Sequence, residues 1–336
     1  MLVRALAFIA SCSVCCAQIS LGGVVSGYVL DGRSATIRPV LGVPGAAYLG
    51  TALALPWGVT AAGVRGSRDV AVAISNEQPR RAYVLHNLAG IVSVVPLDGT
   101  LPDSDRVFLS GDGSAAAIVS SAQQQLQVVT NLASAPAVSS AVPLALRGNI
   151  TAVAVSSSGC ALAAGADTHS GGQVVEVCAS QPGVVIPIFD RDAFHPTAVA
   201  WLDSRSAAVA DAASNQVLLF ANLDGSAPTV LMDQSSGIDS PIGVTALDSS
   251  TLAVALTGDR ERTMPRSGHE RCGCGVLMVA RTDGSLPPRT VPLPIAPSQL
   301  DALDTPSILV LNALVDSPLL LVDTQQNYSA FFVPMN

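Results

Sequence analysis

Apolar runs of four to seven residues recur along the chain, separated by clusters of Gly, Asp, Ser and Pro. That alternation predicts many short β-strands rather than helices. The runs fall into quartets. The clearest opens at 197–203 (TAVAWLD), continues through 206–211 (SAAVAD) and 216–222 (QVLLFAN), and closes at 227–232 after the pair Asp224-Gly225. A second copy runs from 242–248 through 252–256 and 275–280, with its own turn at Asp283-Gly284. Further copies open near Trp57, Asp105, Asn149 and Ser298, so successive starts lie 48, 44, 48, 45 and 56 residues apart. A four-stranded unit repeated at roughly 40–50 residues is the signature of a β-propeller blade. The runs are apolar at consecutive positions, filled by Ala and Val, as expected for sheets packed between two neighbours.

Six such units account for residues 57–336. In front of them stands an extra hairpin, 24–30 and 34–40, joined by Asp31-Gly32 and similar to the third and fourth strands of a blade. It either belongs to an incomplete seventh blade or caps the ring. The expectation is an all-β propeller of six four-stranded repeats plus an N-terminal hairpin, with six or seven blades. The corresponding division is 1–17 signal peptide, 18–56 hairpin and connection, and 57–336 repeats. The Asp-Gly pairs at the third turn predict type I′ hairpins, which need positive φ at both central positions.

The third strands with their turns, QVLLFANLDGS (216–226) and GVLMVARTDGS (275–285), resemble those of exported bacterial propellers of the NHL and YVTN-repeat type. The resemblance spans most of the chain after residue 17. It implies the propeller fold, and with it a range of roles from scaffold and ligand binder to hydrolase or lyase. The Gly-His and Trp-Asp marks of WD-repeat blades and the kelch double glycine are missing.

Composition narrows the partners. All 17 basic residues are Arg, and with 25 acids, 21 of them Asp, the net charge is −8. An acidic chain without a basic face excludes electrostatic nucleic-acid binding, and the high apolar content excludes disorder. The first 17 residues read as an export signal: Arg4, an apolar stretch from Ala5, and a small-residue cleavage site ending at Ala17. A lipobox around Cys12 is the rival reading. No later stretch is long and apolar enough to span a bilayer, so a secreted or periplasmic monomer without a membrane span is expected. Removal of 1–17 leaves Cys160, Cys178, Cys272 and Cys274, an even number that suggests disulfides. Cys160 opens a predicted second strand and Cys178 closes the third. Pairing about a turn centred near residue 169 sets them opposite each other, predicting a Cys160–Cys178 bridge.

The chemistry concentrates in one insertion, 257–274, between the second and third strands of the fifth unit. Arg260, Arg262, Arg266, His269 and Arg271 make it a candidate clamp for a carboxylate, phosphate or acidic glycan. The alternative is a solvated excursion without function. Cys272 and Cys274 form either a second disulfide or, with His269, part of a soft-metal site, although two thiolates do not complete a closed one. A lesser candidate is Asp190-Arg191-Asp192 with His195, which could hold a hard cation or serve as turn chemistry. His86, on a predicted strand, and His169, in a hairpin turn, read as structural. No nucleophile elbow, phosphate loop, zincin motif or dinucleotide fingerprint occurs. With four Glu and unit-opening strands of Val, Thr and Ala, a carboxylate-lined lactonase channel is not expected, and no cofactor or catalytic metal is assigned. The reading is an exported binding or interaction module, its partner a protein or an anionic small molecule or glycan. A channel-centred hydrolase or lactonase is the alternative.

Overall fold

The computed structural model describes residues 24–257, 274–304 and 307–335. Among them there is no α-helix. Twenty-eight strands form seven antiparallel sheets around a central channel, a seven-bladed β-propeller. In chain order the blades occupy 25–49, 59–96, 106–143, 149–191, 196–232, 241–292 and 301–333. Their inner strands, which line the channel, are Val25–Asp31, Val59–Arg65, Arg106–Leu109, Asn149–Val155, Pro196–Trp201, Pro241–Asp248 and Asp301–Ala302.

The unbroken apolar runs have a direct explanation. In blades 2 to 7 the second strand is largely buried on both faces, and its two sets of alternate residues enter two different cores. Val70, Val72 and Ile74 pack towards blade 3, whereas Ala71 and Ala73 pack towards blade 1. Leu252, Val254 and Leu256 face blade 5, and Ala253 and Ala255 face blade 7. Seven clusters result, one in each gap between neighbouring blades. In these two strands larger side chains on one face and Ala on the other let the sheets approach closely.

The N-terminal hairpin is corrected in position. Its strands are the first and second of blade 1, not the third and fourth, and Val25–Asp31 lines the channel. The third strand, Tyr48–Leu49, continues alongside the second through Gly50 N–H to Pro39 O and Leu53 N–H to Ile37 O, both 2.8 Å. The chain then enters blade 2 directly, so this blade has three strands. Among the described residues no strand is exchanged to close the ring. Blade 7 takes all four of its strands from 301–333 and meets blade 1 through Val29, Val40, Leu303, Leu314 and Leu321.

The Asp-Gly turns are also corrected. Gly225 and Gly284 have positive φ (+91° and +64°), but Asp224 and Asp283 do not, so neither turn is type I′. The pairs Leu219–Thr229 and Val279–Arg289 bound connections far longer than two residues. The Asp side chains instead accept the N–H two positions on, from Ser226 at 3.1 Å and Ser285 at 2.9 Å. Asp112, Asp203 and Asp248 do the same at the first turn of their blades, through Ser114, Arg205 and Ser250. This turn chemistry accounts for much of the Asp excess.

Cys160 and Cys178 are directly paired across the second and third strands of blade 4 and joined by a disulfide, with Cα atoms 4.0 Å apart. The alignment is the one expected from the turn centre.

Candidate functional site

The channel encloses about 890 Å³ and is walled mainly by the Val, Ala and Thr of the inner strands. Three charged residues stand within the strand segments of that wall: Arg65 ending the inner strand of blade 2, Arg106 starting that of blade 3, and Asp301 starting that of blade 7. Asp301 is open to channel water, yet surrounding protein strips enough hydration to push its carboxyl above the ordinary range, against the pull of Arg65 and Arg106. Burial lowers both guanidiniums, opposed for Arg65 by Asp301, Asp304 and Asp112, and for Arg106 by Asp105 and Asp301.

Sequence reasoning missed these three. The signal was a charged residue inside an otherwise apolar opening strand, visible in DRVFLS and SQLDALD once the units are aligned.

Polar side chains along the channel stitch neighbouring blades together. Arg106 Nη1 donates to Ile150 O at 3.1 Å, the Trp201 indole N–H to Ala154 O at 3.2 Å, and the Thr197 hydroxyl to Pro241 O at 2.7 Å.

Arg260, Arg262, Arg266, His269, Arg271 and Cys272 lie outside the described residues. The two ends of their insertion are described. Thr257 N–H donates to Ser240 O at 3.3 Å, just before the inner strand of blade 6 begins. Gly275 N–H donates to Ile295 O at 3.2 Å, and a Cβ there would stand 2.1 Å from Pro297 Cδ, so only glycine permits the approach. Ser298 and Gln299, which follow directly, line the channel. Both ends therefore sit beside the mouth at which the inner strands begin. Cys274 is disulfide-bonded.

Asp190 and Asp192 do not converge on an open cation position. Arg147 takes both, at 2.9 and 2.8 Å. His195 contributes its backbone N–H to Asp211 at 2.9 Å. His86 ends the third strand of blade 2, and His169 lies in the turn that follows Asp167. Among the described residues, one set of three His, Cys, Asp or Glu ligand atoms lies within 4.8 Å of one another, namely Cys160, Glu176 and Cys178, and its two sulfurs are joined in the disulfide.

No protein-family model matches the chain, and no curated protein matches it. Among solved structures it superposes on the tricorn protease with a TM-score of 0.61 at 10% identity, covering 92% of this chain and 34% of that one. Virginiamycin B lyase from Staphylococcus aureus gives a TM-score of 0.53 at 11% identity, over 83% of this chain and 85% of that one. The chain thus spans about a third of the tricorn chain. At such identities the likeness is one of propeller fold. Among the described residues no helix is long and apolar enough to cross a membrane.

Proposed function

We propose that the protein is an exported β-propeller acting as a ligand-binding or interaction module, with an anionic ligand engaged at the mouth where the inner strands begin. The observation that carries this reading is the position of the two described ends of the insertion. Both its described ends are bonded to segments that lead into the channel wall, Ser240 on one side and Ile295 to Gln299 on the other. The sequence between those ends holds Arg260, Arg262, Arg266 and Arg271, on a chain of net −8. Export is supported by the leader-like sequence of 1–17 and by the disulfide, a bond kept in oxidising compartments.

A screen of acidic glycans and small organic anions, run at low and high salt, tests the reading. Binding to anions that weakens as salt rises is expected, because exposed charges are screened over about 8–10 Å. Preference for neutral ligands with no salt dependence contradicts it. Turnover of a lactone or ester instead would establish the hydrolase alternative.

A further inference from the structure

One side of the blade 4 hairpin carries both sulfurs of its disulfide and a carboxylate. Cys160 and Cys178 stand opposite each other in the register, and Leu162 and Glu176 form the pair two positions further in. Residues two apart share a face of the sheet. Here that face is the one turned to blade 5, where Leu162, Ala164 and Val174 join the shared core. A Glu176 carboxylate oxygen and the two Sγ atoms all lie within 4.8 Å of one another. That spacing permits proton transfer directly or through one water.

Glu176 is flanked across the strands by Leu162 and Ile186, and the ion pairs among the described residues do not include it. Half-buried in this position, its carboxyl is pushed above the ordinary range by loss of hydration. A thiolate and an ionised carboxylate so close repel each other, so sulfur and carboxyl favour sharing a proton. The bridge is open from one end. Cys160 is half-buried and follows the exposed Ser157 and Ser158, whereas Cys178 is buried. Breaking the bridge would not release the hairpin, because the pairs from Ala161–Val177 to Asp167–Gly171 still hold its strands in register.

We propose that the Cys160–Cys178 bridge is a thiol–disulfide exchange site for small-molecule thiols, with Glu176 as its proton carrier. The thiolate of a first substrate attacks Cys160 Sγ and the S–S bond breaks. The electron pair leaves on Cys178 Sγ, which takes the proton of the Glu176 carboxyl. A second thiolate attacks the substrate sulfur of the mixed disulfide and expels Cys160 as a thiolate, which is protonated by water. The bridge gains two electrons and two substrate thiols become one disulfide. The same steps in reverse, with a low-molecular-weight disulfide as oxidant, restore the bridge, and Glu176 then takes the proton of Cys178. This activity is independent of the anionic-ligand reading.

The test treats the folded full chain with excess reduced glutathione and follows the peptides bearing Cys160 and Cys178 by alkylation and mass, so the separate bridge of Cys274 does not enter the reading. Reduction is expected without denaturant, at a rate proportional to glutathione concentration. A rate independent of glutathione, or reduction only in urea, shows that the bridge opens by unfolding and overturns the proposal. In Cys178→Ser the glutathione adduct should appear on Cys160, and its absence counts equally against the site. Glu176→Gln should slow both reduction and reoxidation by oxidised glutathione at least about tenfold, the lower range for a proton-transferring side chain, with the oxidised protein's thermal midpoint unchanged. Were Glu176 only a negative charge, its removal would favour the thiolate and quicken exchange. An unchanged or faster rate in Glu176→Gln therefore overturns the assignment. Should that variant fail to fold, Glu176→Ala replaces it under the same expectation, and the glutathione dependence of the wild-type rate still decides whether the folded bridge reacts.

Discussion

The carboxylate of Asp304 accepts the backbone N–H of Ser67 at 2.8 Å, joining blade 7 to blade 2 across 237 residues of sequence. Arg65 reaches Ala302 O over the same gap, and Gly32 N–H donates to Leu314 O at 2.9 Å from blade 1. Among the described residues no strand is exchanged between the first and last blades, and these bonds and the apolar contact between blades 7 and 1 join them. Asp304→Ala should cost about 1 kcal/mol, the usual net value of such a bond. Hydrogen exchange should quicken at Ser67 and in blade 1 first. Exchange that quickens uniformly over all seven blades would contradict this account of closure.

A second test concerns the interior of blade 5. Asp211 is fully buried and accepts the N–H groups of His195 and Ala213 at 2.9 and 3.0 Å, Arg191 Nη2 at 3.0 Å and the Ser214 hydroxyl. Asp211→Ala strands these donors and should destabilise by about 2–4 kcal/mol in urea unfolding, with Asp211→Asn milder. A loss below about 0.5 kcal/mol would show that water replaces the carboxylate without penalty.

The Cys160–Cys178 bridge closes a hairpin with a sequence separation of 18. The chain-entropy model assigns about 3 kcal/mol to a loop of that size. Replacing both cysteines by Ser should therefore lower the urea midpoint of the oxidised protein and leave that of the reduced protein nearly unchanged. Equal midpoints for oxidised wild type and the double variant would show that the bridge contributes no stability.

Acid should unfold the propeller through its turns. Asp283 is held at about 2 by the hydroxyl and N–H of Ser285, and Asp224, Asp233 and Asp248 are lowered by hydrogen bonds from Ser226, Ser235 and Ser250. Asp31, Asp112 and Asp203 are lowered too, although burial pushes them the other way. A folded pKa below the unfolded value of about 3.9 gives stability that is present above that value and lost as pH falls through the folded one. Asp301 and Glu176, raised by burial, act in the opposite sense, because protonation relieves their charge. With Asp167, lowered by the His169 N–H, eight lowered carboxyls outnumber these two, so urea midpoints should fall between about pH 4 and pH 2. A midpoint that is flat or rising over that interval contradicts the turn assignment.

The blades were legible because strands buried on both faces leave unbroken Val and Ala runs, as at 207–211 and 252–256. The disulfide was legible from register alone, since one turn centre sets Cys160 against Cys178. Blade 1 was misplaced because its third strand is only Tyr48–Leu49, in a stretch that reads as connection. The Asp-Gly turns misled because the same dipeptide serves a tight hairpin or a longer loop clipped by the Asp side chain, and only the distance to the pairing strand tells them apart. Arg65, Arg106 and Asp301 escaped notice because a single charge in an apolar strand draws attention only when separate blades set several such charges along one channel.

The central claim is that the insertion between Thr257 and Cys274 serves binding rather than stability. Its most direct test is deletion of 258–273, with Thr257 joined to Cys274 through a glycine-containing turn and Cys274 replaced by Ser. Loop length alters closure entropy by only about 0.6 kcal/mol per doubling, so the thermal midpoint should stay close to that of the intact protein. Affinity for the acidic glycan or anion recovered in the screen should drop at least tenfold at low salt, with less difference at high salt. Unchanged binding with a collapsed melting temperature would make the insertion a structural element and contradict the proposed function.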